Sequence, residues 1–140
     1  VLVGAQETKG TVAKEVLVPV SIGELLDKIT ILQIKSERIP DAAKLVNIRK
    51  ELDALVATCT KYDIPVSHPL VLDLRQINES LWEVEDLLRD KEHAKEFDEA
   101  FVKLARDVYF TNDRRAAVKR ALNLELGSGY VEEKSYRPYS

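Results

Sequence analysis

A chain of 140 residues, 45% hydrophobic and 32% charged with five glycines and five prolines, suffices for one domain that folds without disulfides or a structural metal. A net charge of −3 and a pI near 5.5 argue against the basic face of a general nucleic-acid binder, so no nucleic-acid partner is expected. Cys59 is the lone cysteine, which excludes an intramolecular disulfide and suits a cytoplasmic protein, and no apolar run approaches the roughly 18 residues of a membrane span.

Residues 1–14 read as an extension to a single helical domain. Its opening Val1–Ala5 is apolar, but it is too short for a signal peptide and lacks a basic start. Glu15 to Val20 is β-branched and apolar around Pro19, which predicts an edge strand or an extended lead-in. Ser21 with Glu24 three residues on predicts a capping box and a first helix from about Ile22 to Arg38. Ile22, Leu25, Leu26, Ile29 and Leu32 form its main apolar stripe, with Ile31 and Ile34 on the other side. A helix apolar on two sides is sandwiched in a core or lies at a subunit interface, so it is the candidate surface for a homodimer.

A second helix follows Pro40-Asp41, its stripe running from Leu45 through Ile48, Leu52, Leu55 and Val56 towards Tyr62. Asp63 to Pro69 is the clearest loop. The third helix has apolar residues at Leu70, Leu74, Ile77, Leu81, Val84 and Leu88, a 4-3-4-3-4 spacing that fades at Asp90–Ala94. A fourth starts near Phe97 with Phe101, Leu104, Ala105 and Val108 inward, and no Gly or Pro interrupts it before Gly127. Thr111-Asn112-Asp113 could still cap a fresh helix, so one long helix or two shorter ones both fit. Tyr130 to Ser140 is an extended tail, which could pair with Glu15–Val20 as a short sheet. The fold expected is all-α: an antiparallel bundle of four to five helices with a short extended or strand-like N-terminal segment and an extended C-terminal tail.

Four blocks carry a resemblance. They are Val18-Pro-Val-Ser-Ile-Gly-Glu-Leu-Leu-Asp-Lys-Ile-Thr-Ile-Leu32, Asn78-Glu-Ser-Leu-Trp-Glu-Val-Glu-Asp86, Val108-Tyr-Phe-Thr-Asn-Asp-Arg-Arg-Ala116 with Lys119-Arg120 and Asn123, and Val131-Glu-Glu-Lys-Ser-Tyr136. Together they resemble a family of short bacterial and phage proteins that is a domain of unknown function, over about residues 15–136. The resemblance implies kinship without an activity. The chain departs from it at 91–96, where a glycine-containing break is expected and Lys-Glu-His-Ala-Lys-Glu stands instead.

The basic stretch is the candidate site. Arg114, Arg115, Lys119 and Arg120 fall within seven positions of an otherwise acidic chain. If the fourth helix is continuous, counting from Phe101 and Val108 at 3.6 residues per turn brings Asn112, Arg115, Lys119 and Asn123 onto its core-facing stripe. Buried charges there must meet carboxylates, a bound anion or water. In a restarted helix the same residues would be solvated. Asn78 and Glu85 flank the third helix's apolar stripe, and Glu85 is the expected partner of Arg115 or Lys119. Lys28 on the first helix could complete a basic cleft.

Glu79, Glu83, Asp86 and Asp90 share one face, but that face lies opposite the apolar stripe and reads as solvated rather than as a magnesium array. His68 and His93 are too few and too isolated for a metal site or a triad and read as solvent-facing, while Cys59 reads as buried packing. No phosphate loop, zinc spacing or nucleophile elbow is present, so no cofactor and no metal are expected. Two functions stay open. One is a pocket for a small phosphate- or carboxylate-bearing ligand built from Lys28, Asn78, Glu85, Asn112, Arg115, Lys119 and Asn123. The other is a non-catalytic assembly or adaptor protein whose polar stripe is an internal ion-pair network.

Overall fold

A computed structural model describes residues 14–139, which form four helices and, among the described residues, no strand. The helices are α1 (Ile22–Arg38), α2 (Ala42–Lys61), α3 (Pro69–Ala94) and α4 (Glu99–Glu125). The extension ahead of residue 14 lies outside the described residues.

Each helix begins where a side chain satisfies an orphan amide. Ser21 accepts from the Glu24 N–H, Asp41 from Lys44, and Asp98 from Phe101. His68 caps α3, its Nδ1 accepting from the Leu70 N–H while Nε2 lies 3.3 Å from Glu125, so this histidine is held against the protein and is not the solvent-facing residue expected. The capping box at Ser21 is only half made. Glu24 turns away to pair with Lys119, and α4's end supplies the other caps: Ile22 N–H donates to Ser128 Oγ at 3.0 Å and Gly23 N–H to Asn123 Oδ1 at 2.6 Å.

The break between α3 and α4 falls within the departure noted at 91–96. Lys95 takes the left-handed conformation, φ 57° and ψ 35°, the conformation for which glycine is the usual residue. The turn is therefore made without its preferred residue.

α1 is the central element and touches each of the other three helices. Leu25, Leu26 and Ile29 join Cys59, Val71, Leu74 and Leu122 in the core, each large aliphatic side chain contributing about 1.5–3 kcal/mol by leaving water. Ile34, on α1's second apolar side, is buried as well, while Ile31 beside it is half-buried. α3 and α4 form a long hairpin. Its inner half meets α1, whereas residues 79–110 include no buried side chain and project as a two-helix arm roughly 24 Å long at 1.5 Å per residue.

The N-terminal segment is not a strand. Val16, Leu17 and Val18 are exposed and make no ladder, since Pro19 withholds a donor and the described residues include no neighbouring strand to pair with. The C-terminal tail is extended, as expected, but it lies along α4 and not against that segment. Tyr139 donates to Asp113 at 2.6 Å, and Arg120 meets Glu133 at 2.6 Å.

Candidate functional site

α4 is one continuous helix through Thr111–Asp113, which settles the register of the basic stretch. Arg115, Lys119 and Asn123 turn inward, four residues apart, onto the first two turns of α1. Asn112, on the same predicted stripe, is exposed.

The centre of the arrangement is Asp27, 1% exposed and absent from the residues expected at the site. Arg115 grips its carboxylate with two N–H groups, Nε donating to Oδ1 at 3.0 Å and Nη2 to Oδ2. Asn78 on α3 donates from Nδ2 to Asp27 Oδ1 at 2.8 Å and to Thr30 Oγ1 at 2.9 Å, while Thr30 donates to the Asp27 carbonyl at 2.8 Å. Lys119 Nζ lies 3.7 Å from Asp27, 2.7 Å from Glu24 and 3.8 Å from Glu132 of the tail. Three helices and the tail are thus tied through α1.

The electrostatics follow from this geometry. Burial alone pushes the Asp27 carboxyl up, but the hydrogen bonds from Arg115 and Asn78 and the charges of Arg115 and Lys119 outweigh it and hold the group below its ordinary value. The hydrogen bonds that Arg115 donates to Asp27 in turn raise the pKa of the guanidinium. Among the described residues every fully buried side-chain nitrogen or oxygen has a partner.

Two of the expected assignments fail. Glu85 is not the partner of Arg115 or Lys119; it sits exposed on the projecting arm, 4.0 Å from Arg89, because Arg115 reaches towards α1 instead. Lys28 does not join the cluster either. It is half exposed and only 3.9 Å from Glu24, one turn back on its own helix. Asn123 is buried, but its Oδ1 is spent on the Gly23 amide. The sequence did carry a signal for Asp27: Gly23, Asp27 and Thr30 form a 4-3 row of small and polar residues between the two apolar sides of α1.

Two cavities flank the network. The first, about 1040 Å³, lies between α4 and the tail and is lined by Arg115, Lys119, Lys134 and Arg137 with Glu24, Asp113, Glu132 and three tyrosines, Tyr109, Tyr136 and Tyr139. The second, about 530 Å³, lies between α1 and the hairpin and is lined by Ile31, Ile34, Asn78, Leu81, Trp82 and Glu85 among others. Arg115 and Asn112 line both.

These features define a small all-α protein whose inner polar surface is one ion-pair network opening on two cavities. The chain belongs to a family of unknown function, DUF6165, matched over residues 16–140. No curated protein and no solved structure matches it. No described helix is long and apolar enough to cross a membrane.

Proposed function

We propose that the cavity between α4 and the tail binds a small anionic ligand bearing phosphate or carboxylate. The observation that carries this reading is the convergence of Arg115, Lys119, Lys134 and Arg137 on one open space. Arg137 has no carboxylate within 4 Å among the described residues, and Glu132, which pairs with Lys134 and lies 3.8 Å from Lys119, is the group an incoming anion would displace. Arg115 spends Nε and Nη2 on Asp27, leaving Nη1 without a partner among the described residues. In this reading Arg115 and Lys119 hold the anion, Asn112 adds an amide, and Asn78 keeps Asp27 in place.

The test is a thermal-shift and calorimetric titration with inorganic phosphate, pyrophosphate and citrate. It compares the wild type with Arg137→Ala and Lys134→Ala, which remove exposed side chains outside the core. A ligand at 100 times its Kd adds about 2.7 kcal/mol of stability. A shift that both variants weaken supports the site; no shift with any of the three anions overturns it.

A second reading is a non-catalytic assembly or adaptor protein, favoured by the bidentate pairing that already quenches Arg115 on Asp27. Under either reading we propose a cytoplasmic homodimer of bacterial or phage origin. Because the main apolar side of α1 and Ile34 on its second side are buried within the chain, the projecting α3–α4 arm offers the larger free face for a second copy. Sedimentation equilibrium decides this: Val102→Glu, at an exposed apolar position of the arm, is expected to leave a monomer. A wild type that is itself monomeric overturns the dimer.

A further inference from the structure

We infer that the second cavity seats a planar nitrogen heterocycle, so that the ligand is a nucleotide with its ring beside Trp82 and its phosphate in the first cavity. The inference rests on the anion reading above and narrows it to a chemical class.

The argument begins at Asn78. Its amide orientation is fixed, because Nδ2 faces a carboxylate oxygen that can only accept. Both hydrogens of that amide are used, on Asp27 and Thr30. The carbonyl Oδ1 has no partner among the described residues, although Asn78 as a whole is 6% exposed. No fully enclosed polar atom lacks a partner, so Oδ1 meets the open space of the cavity its residue lines. A buried acceptor held rigidly by its own nitrogen and left open on one side is a binding group in waiting.

Its surroundings define what would satisfy it. Arg115, on the same cavity, has Nη1 unspent. An acceptor and a donor therefore belong to residues of one cavity, which Trp82, Ile31 and Leu81 also line; the Arg38 guanidinium lies 6.0 Å from the centre of the Trp82 ring. A second carboxylate or phosphate would set oxygen against the Asn78 oxygen, and an aliphatic chain would leave it unpaired. A flat ring presenting an N–H beside an acceptor, as nucleobase edges do, satisfies both groups and stacks on the indole. Since Arg115 and Asn112 also line the first cavity, the two parts of one molecule would meet a single guanidinium.

Trp82 is the chain's only tryptophan and so reports on this cavity alone. The experiment titrates the wild type with AMP, GMP, CMP and UMP, and with ribose 5-phosphate and inorganic phosphate, by calorimetry and by tryptophan fluorescence. At least one nucleotide is expected to bind roughly 10- to 100-fold more tightly than ribose 5-phosphate, the range that stacking of one base provides, and to change the Trp82 emission. Trp82→Leu should remove that advantage while leaving ribose 5-phosphate binding unchanged; the wild-type fluorescence needs no variant and stands if this one misfolds. Equal binding of ribose 5-phosphate and all four nucleotides, or binding without a change in emission, overturns the heterocycle and leaves the anion site intact. Binding of none of the six overturns the nucleotide, and the anion site falls with it only if pyrophosphate and citrate fail as well.

Discussion

Gly23 lies so close against Lys119 that a Cβ built on it would stand 2.5 Å from the lysine's carbonyl oxygen and 2.9 Å from Asn123 Oδ1. This approach brings α1 and α4 near enough for Glu24 to reach Lys119 and Asp27 to reach Arg115. The two helices run antiparallel here, since residues 23, 24 and 27 meet 123, 119 and 115 in turn.

Gly23→Ala is therefore expected to destabilise. Alanine favours a helix interior by roughly 0.5–1 kcal/mol over glycine, but the clash is with backbone, which cannot rotate away, and overpacking costs about 1–3 kcal/mol. Urea denaturation should show a net loss; equal or greater stability would mean the helices are not held this close.

Removing Arg115 strands the Asp27 carboxylate. Arg115→Ala should cost about 3 kcal/mol, the low end of the range for breaking a buried pair because the arginine side chain is 29% exposed. Asp27→Asn with Arg115→Ala should recover part of that loss. The double-mutant cycle measures the coupling, and strictly additive losses would contradict a direct pair.

The pair also sets an acid limit. The Asp27 carboxyl is held below its ordinary 3.8, so the stability it contributes is complete above the unfolded value and is lost as pH falls through the lower folded value. The stability gap between wild type and Asp27→Asn should thus be constant near neutrality and shrink below about pH 4. A gap that instead grows on acidification would show that the carboxyl is raised.

At Lys95 the opposite change should help. Lys95→Gly relieves a left-handed residue at a cost of only the exposed ion pair with Glu92, for a gain of about 1 kcal/mol. A melting temperature raised by about 4 °C is the expected reading.

Cys59 is buried, and burial pushes its thiol up. Labelling by a thiol reagent should proceed only as fast as the protein opens, and in urea the rate should follow unfolding. Rapid labelling of the folded protein would place the residue on a mobile surface.

Much of the fold was legible in the sequence because capping and apolar spacing are local. Ser21, Asp41 and the 4-3-4-3-4 row of α3 mark their helices without reference to anything distant. The inward face of Arg115, Lys119 and Asn123 was legible too, once the helix was taken as unbroken. Their partners were not. Asp27 and Arg115 are 88 residues apart, and whether a lysine pairs with Glu85 or Glu24 depends on which helix crosses above it, which helical periodicity does not encode. Of the two forms expected at Glu15–Val20, an edge strand or an extended lead-in, the strand is not formed for a related reason: β-branched residues favour an extended backbone, but a ladder needs a neighbour.

Arg115, Lys119 and Asn123 stand on α4 like teeth of a rack, each meshing with a different residue at the start of α1. One residue inserted between the first and last would swing a tooth by about 100° and carry it out of mesh. This stretch is therefore held to its length as well as to its three meshing side chains, whereas the loop at 62–68 carries no such ruler. An inserted residue is therefore expected to be tolerated in that loop and to unfold the junction of α1 and α4 when placed between Arg115 and Asn123.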